Sequence, residues 1–515
     1  MPYHLVAGVL CLLFLSPLFF LGLEAFVRAE SFLAEKALPM VGALLSITLV
    51  VCLFAAVTAL LLGGPAAWMV TRYEFAGRRF VSVLLSLPFA IPPYLLAAIY
   101  RSIDRQDGFP MPALNHPIVA GIVLGVALYP WVYLPLKAQL ARQSSHYDDV
   151  AASLGLSIRQ RFFRIHLALL LPTIGISILL VVMETLSDYG AAEVLGVRTL
   201  SVGIHDAMFS MYRRDWAAQL SVLAFFIPVC ALVIYMVLQK KREVYQPSNR
   251  GQSAVRERVQ GGRLLGVYLY LAIPLVFALL IPVGSLLRWS LRYIKVMPLQ
   301  ELPSQLGDTV MLALGVSVIT LIVALSLCLM LRLVPGMRGW RGMAVLINLN
   351  YALPSVMLGI AVLFLSNGLP DAVVNVLLSE SITLLVIAGC LAYLCFPFFS
   401  IQSGLQVISP RLDDLSATLG FGRMRRVFRV YLPLLRRSIA CGLLLVLVNM
   451  VKELPLSQVL QPFGFQSLSM RLYTFTGLGM IEESALYALC LVVLVAYPVA
   501  SLDRMITERT PHAET

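Results

Sequence analysis

Charge is what this chain has least of. Of its 515 residues only 13% are Asp, Glu, Lys or Arg, against roughly 25% in soluble domains. That scarcity leaves no room for a large soluble domain. Metal-binding and redox patterns are missing too. The eight cysteines (Cys11, Cys52, Cys230, Cys328, Cys390, Cys395, Cys441 and Cys490) all lie in apolar runs and never form C-x-x-C. Neither a zinc site nor a disulfide framework is expected, and the cysteines read as small buried hydrophobes. His146, His166 and His205 share no metal-ligand spacing and are expected in solvated or interfacial positions. A G-x-x-x-x-G-K-[ST] phosphate loop is absent, and no Ser/His/Asp set is suggested by spacing. No enzymatic activity and no cofactor are expected of this chain.

What is present is apolar. Hydrophobic residues make up 59% and mean hydropathy is +0.87. Runs of about 20 apolar residues are read as membrane-spanning helices, since lipid offers the backbone no other hydrogen-bond partners. Twelve such spans are expected, near 5–27, 43–70, 80–101, 118–138, 167–186, 216–238, 264–288, 309–331, 343–366, 382–404, 434–451 and 485–502. The fold class is therefore an all-α integral membrane protein. Only His4 precedes the first run, which is longer than a signal-peptide core, so it reads as a retained span.

The net charge of +12 follows topology. With the N-terminus inside, roughly two-thirds of the basic residues fall in cytoplasmic segments, as the positive-inside bias requires. They cluster at Arg72, Arg78 and Arg79, at Arg159, Arg161 and Arg164, at Lys240, Lys241 and Arg242, and from Arg423 to Arg437. This places both termini in the cytoplasm and gives no reason to expect nucleic-acid binding. Trp131, Tyr133, Trp216, Trp289 and Tyr293 read as interface anchors near span ends.

Six spans, a polar linker and six more spans divide the chain into a first repeat (1–239), a linker (240–263) and a second repeat (264–515). The linker is rich in turn formers and is expected to be flexible and cytoplasmic. An even span count per half gives both halves the same orientation, so the repeat is parallel.

The duplication is plainest in two polar segments between spans. One begins Asp148-Asp149-Val150-Ala151-Ala152-Ser153-Leu154-Gly155, the other Asp413-Asp414-Leu415-Ser416-Ala417-Thr418-Leu419-Gly420. Matching residues, such as Gly155 and Gly420, are 265 positions apart. The paired aspartates are expected to cap a short helix and favour its dipole. The small residues Ala151, Ala152, Ser416 and Ala417 would let another surface approach, and the glycines would end the helix at positive φ. A basic amphipathic stretch follows, with Phe163 and Phe428 opposite its arginines; Pro433 then opens span eleven. A duplicated polar helix in an apolar chain needs an external reason, and a two-fold partner docking twice supplies one.

These residues resemble the permease subunits of binding-protein-dependent ABC importers. The family pattern is Glu-Ala-Ala, three residues, Gly, nine residues, Ile, one residue, Leu-Pro. Here Gly155 is followed after nine residues by Ile165 and then Leu167, and Gly420 by Val430 and then Leu432-Pro433. Asp149 and Asp414 stand for Glu, Val150 and Leu415 for the first Ala, Ser416 for the second, and Ala168 for the first Pro. The resemblance implies a type I importer permease of a bacterial inner membrane. It implies coupling helices at Asp148, Asp149, Ala151, Ala152 and Gly155 and at Asp413, Asp414, Ser416, Ala417 and Gly420, each seated on one subunit of an ATPase dimer that drives alternating access. An extracytoplasmic substrate-binding protein is implied on the other side, where the long loops 187–215 and 454–484 offer contact area.

Within that family the chain is similar to fused double permeases for ferric iron, and more distantly to those for thiamine, sulfate, polyamines and phosphonates. The carrying residues are Glu184-Thr185-Leu186-Ser187-Asp188-Tyr189-Gly190, Lys452-Glu453-Leu454-Pro455 and Gln461-Pro462-Phe463-Gly464-Phe465. A hard trivalent cation prefers carboxylate and phenolate oxygens. Glu184, Asp188, Tyr189 and Glu453 supply them near span ends and are the candidate substrate pathway, where capping of span ends is the competing role. A secondary transporter built from two parallel halves is the competing class. It would need ionisable residues deep inside the spans and gives no reason for a duplicated docking helix.

Overall fold

The computed structural model describes residues 2–27, 37–106, 113–143, 153, 155, 157–240, 256–295, 297, 299–333, 350–351, 353–367, 382–409 and 411–507. They are helical almost throughout. Among the described residues the only strands are a two-residue parallel pairing of Tyr73–Glu74 with Glu257–Arg258. It ties the end of the expected linker to the first repeat, with Glu74 also paired to Arg256 at 3.6 Å.

Among the described residues seven helices are long and apolar enough to cross a membrane, and three bent pairs raise the number to ten. The expected span at 5–27 falls in helix Pro2–Val27, and the described end of the span expected at 343–366 is helix Ser355–Asn367. The expected straight span at 80–101 is broken: Arg78–Ala90 and Pro93–Arg105 meet at 90°. Ile91 is extended ahead of Pro92-Pro93, because a residue before proline is pushed out of the α region and proline has no N–H to donate. The breaks at Tyr129 and Leu394 are gentler, both 43°, beside Pro130 and Pro397. They too lie 265 residues apart, so the repeat extends to the bends.

The described helices group into two compact units. One comprises Leu38–Gly203, Leu223–Met297 and Leu472–Thr515; the other comprises Met1–Ala37, Ile204–Val222 and Pro298–Arg471. Each takes most of its core from one repeat and completes it with helices from the other. An apolar helix face demands cover but does not name its neighbour.

In the first-repeat unit, Ala37–Arg72 meets Pro117–Leu128 at Gly121 and Gly125. A Cβ on Gly121 would lie 2.8 Å from the Val51 carbonyl, and one on Gly125 2.7 Å from that of Ala55. This four-residue spacing of glycines lets membrane helices approach backbone to backbone. The last helix, Ala485–Thr507, packs on Arg78–Ser86 and Pro130–Arg142. There Lys137 Nζ meets Asp503 Oδ1 at 2.5 Å, with side chains 3% and 2% exposed. Lys137 also donates to Ser82 Oγ at 2.6 Å.

In the second-repeat unit, Leu302–Leu333 packs on Thr383–Tyr393, Cys395–Val407 and Leu432–Val451. Ser355–Asn367 lies between Pro2–Val27 and Pro455–Val459. Its Gly359 faces Val459 so closely that a Cβ would sit 2.9 Å away. Cys52, Cys328, Cys390 and Cys395 are buried thiols, as expected, whereas Cys230 is exposed.

Candidate functional site

The second polar segment forms a helix, Arg411–Thr418. It begins two residues before the expected Asp413-Asp414 cap. Ser409 takes that role, its Oγ accepting from the Arg411 N–H at 3.3 Å. Asp413 is engaged elsewhere. Its Oδ2 accepts from Arg332 Nε at 3.0 Å and Nη2 at 2.9 Å, and its Oδ1 accepts from the Tyr431 hydroxyl. A charged two-point donor holds a carboxylate more strongly than a backbone N–H does. Gly420 ends the helix at φ 72°, where the Phe421 N–H reaches the Ser416 carbonyl at 3.0 Å. That is the Schellman closure expected of a glycine in this place.

The faces of this helix are sorted differently from the sequence expectation. Ser416, expected to face a partner, is 6% exposed and turns inward with Asp413. Leu412, Leu415 and Leu419 are exposed instead, Leu419 to 65%. Three leucines at spacing i, i+3, i+7 on one side of a short polar helix form an apolar stripe available to another protein. Met424 and Phe428 extend the exposed apolar surface. The side chains of Asp414 and Ala417 lie outside the described residues.

Of the first polar segment, Asp148, Asp149, Ala151 and Ala152 lie outside the described residues. Ser153 is helical and exposed, and Gly155 has φ 70°, matching Gly420. Ser157 and Gln160 then cap each other: the Ser157 N–H donates to Gln160 Oε1 at 3.0 Å and the Gln160 N–H to Ser157 Oγ at 3.4 Å. Both segments run into a π-helical turn, Phe162–His166 in the first repeat and Val427–Tyr431 in the second. His166, expected in a solvated or interfacial position, is 4% exposed. It lies against Arg72, Gln143 and Trp68, because the turn rotates it onto the end of helix Ala37–Arg72.

The loop segments after the fifth and eleventh expected spans carry the other candidates. Glu184 is half-buried in the last turn of Leu167–Ser187. Asp188 caps Tyr189–Leu195, its Oδ1 accepting from the Ala191 N–H at 2.6 Å. Tyr189 is buried, and its hydroxyl lies 2.6 Å from that of Tyr473, which donates to Glu193 Oε2. Glu453 is 7% exposed and caps the short helix Pro455–Val459. Its Oε1 accepts from the Leu456 N–H at 3.0 Å, and its Oε2 from the Tyr393 hydroxyl. Asp188 and Glu453 thus have structural partners, while Tyr189 joins a cluster of oxygens that the sequence did not bring together. His205, between spans, has its imidazole pushed to lower pKa by burial, opposed by the Asp206 charge.

A third duplicated feature escaped the sequence. Thr48 Oγ1 accepts from the Leu200 N–H at 2.8 Å, and Thr309 Oγ1 from the Leu468 N–H at 2.9 Å. Each threonine also donates back to the carbonyl four residues earlier, Leu44 or Gln305. The long helix of each repeat thereby pins the loop segment. Threonines occur in many spans, and only alignment of the two repeats distinguishes this pair.

The description "Binding-protein-dependent transport system inner membrane component" matches residues 59–241 and again 331–510, more than half of the chain. Among curated proteins, the chain is similar to the Fe(3+)-transport system permease protein FbpB 2 of Haemophilus influenzae, 23% identical over 479 residues that cover 90% of each chain. It is also similar to two Escherichia coli sulfate transport system permease proteins. CysT is 27% identical over 30% of this chain and 58% of its own length; CysW is 28% identical over 35% of this chain and 65% of its own length. Two matches to one family model, falling on the two repeats already visible in the bends, polar segments and pinned loops, show that the chain belongs to the inner-membrane components of binding-protein-dependent transport systems.

Proposed function

We propose that this chain is the two-repeat permease of an ATP-driven ferric iron importer, with both termini cytoplasmic. The observation that carries the ATP-driven part is the duplicated polar segment with its exposed apolar stripe. Leu412, Leu415 and Leu419 offer an ATPase subunit a surface outside the spans, and Gly155 and Gly420 close the two docking helices in the same left-handed geometry. Hydrolysis belongs to that separate subunit. The loop segments on the opposite side face a substrate-binding protein.

Iron is favoured by two things. The Haemophilus influenzae Fe(3+)-transport permease aligns along 90% of this chain, whereas the Escherichia coli sulfate permeases align along about a third of it. The Tyr189, Tyr473 and Glu193 oxygens also converge in one place, and hard cations select phenolate and carboxylate. Glu184 lies one helical turn before Asp188 and extends this oxygen-lined stretch; Glu453 is the counterpart in the second repeat.

The test is uptake of radiolabelled ferric iron into vesicles carrying this chain with its ATPase and binding protein. Sulfate is offered in parallel, with and without ATP. ATP-dependent iron uptake supports the whole reading. ATP-dependent sulfate uptake without iron keeps the importer and removes the metal. Uptake of either that follows an ion gradient and ignores ATP removes the ATP-driven reading.

A further inference from the structure

One arginine sits where three helices and the second docking segment meet, and nothing in the family match assigns it a role. Arg332 is next to last in helix Leu302–Leu333. Its guanidinium grips Asp413 of the docking helix at 2.9 and 3.0 Å. The same group donates to the carbonyls of Leu405, at 3.4 Å, and Ile408, at 3.0 Å, where helix Cys395–Val407 ends. Through the other oxygen of Asp413 it is connected to Tyr431, which opens helix Leu432–Val451. Arg72 ends the equivalent helix, Ala37–Arg72. Its Nη2 donates to Gln143 Oε1, just past Pro130–Arg142, at 3.1 Å, and to His166 Nδ1, which opens Leu167–Ser187, at 2.9 Å. His166 and Tyr431 are 265 residues apart, so Arg72 joins the corresponding helices of the first repeat.

We infer that Arg332 is a positioning residue that transmits movement of the second docking segment to the spans of its repeat. The inference rests on the docking segments being the ATPase contacts. A planar guanidinium with several donors in fixed directions links these elements without slack. A docking helix displaced by its partner must carry the long helix with it or break these bonds. Carbonyls at a helix end have no intrahelical partner, so in the second repeat the arginine also replaces a C-cap. Arg332 meets a carboxylate in a charge-assisted pair, which makes this link a strong one.

The experiment uses the full complex in vesicles and reads three quantities: ATP hydrolysis, substrate moved per ATP, and cross-linking of a Leu415→Cys docking helix to the ATPase. Arg332→Gln is expected to lower substrate moved per ATP by at least about tenfold, as expected for losing a charge-assisted pair, with the cross-link retained. Arg332→Lys, which keeps charge but loses the fork, should restore only part. Arg263→Gln, an exposed arginine paired with Glu257, should match wild type. Normal substrate per ATP in Arg332→Gln, with the cross-link intact, overturns the inference and leaves the docking reading standing. Absence of the cross-link in the parent complex, where Leu415→Cys is the sole change, overturns the docking reading itself. Loss of transport and hydrolysis in equal proportion, restored fully by Arg332→Lys, marks Arg332 as merely structural and also overturns the inference.

Discussion

The two repeats share a plan and differ in how they hold it. In the first, glycines at 121 and 125 bring backbones together, and a buried Lys137–Asp503 pair fastens the last helix of the chain to Pro130–Arg142. In the second, the corresponding crossing has Gly389 facing Val316 and Met450 side chains, and Thr320 lies 3.2 Å from the Cys390 sulfur. Its Arg471–Glu301 pair is more solvated than Lys137–Asp503, at 21% and 55% exposure. Its charge is concentrated under the docking helix, at Arg332–Asp413. Duplication therefore preserved bends, glycine turns and threonine pins, which set the backbone path. The side-chain locks diverged, because any contact of adequate strength keeps a packed helix in place.

That contrast can be broken at its strongest point first. Asp503→Ala leaves Lys137 buried without its carboxylate, and losing one partner of a buried pair costs about 3–5 kcal/mol. The thermal midpoint of the purified protein should fall sharply, whereas Glu301→Ala should cost less than about 1 kcal/mol because that pair is half in solvent. Equal shifts would erase the difference in how the units are locked. Next comes Gly125→Val, which drives a side chain into the Ala55 carbonyl and Thr58. Overpacking of this kind costs about 1–3 kcal/mol or more. Gly389→Ala meets only side-chain atoms, the nearest at 3.0 Å, and should be milder in the same melting assay.

Smaller effects on stability probe function. Gly155→Val and Gly420→Val place a β-branched residue at φ 70° and 72°, a strain of about 1–2 kcal/mol confined to an exposed turn. Insertion should survive while substrate moved per ATP falls, which vesicle transport measures directly. Coupled transport at the parental level in both variants would remove the docking role of these segments. Smallest of all in stability is Tyr473→Phe. It removes one hydroxyl between Tyr189 and Glu193 and should shift the melting midpoint by about 1 kcal/mol or less. Iron uptake should nevertheless drop, and unchanged uptake would detach the oxygen cluster from the transport path.

The sequence made the duplicated segment legible because polar residues in an apolar chain stand out, and Gly155 and Gly420 announce positive φ. It placed the helix start at Asp413 because aspartate is a good cap. Arg332, 81 residues away in the chain, was not visible as the competitor for that carboxylate. It read Ser416 as a contact residue because small residues permit approach, whereas the turn of the helix put Leu415 and Leu419 outward. Glu453 and Asp188 were recognised as oxygen donors. Their capping partners became evident only once short helices formed behind them.

Composition and hydropathy by themselves determined that this chain is helical and membrane-embedded, since lipid satisfies no backbone group and the apolar runs must bond internally. The repeat period fixed two copies of one plan. Tertiary structure alone decided which helices complete each unit: Leu472–Thr515 joins Leu38–Gly203, and Met1–Ala37 joins Pro298–Arg471. The physical reason is that apolar faces are interchangeable in kind. Shape at a few glycines and the pairing of rare buried charges select the neighbour, and those are properties of positions brought together in space.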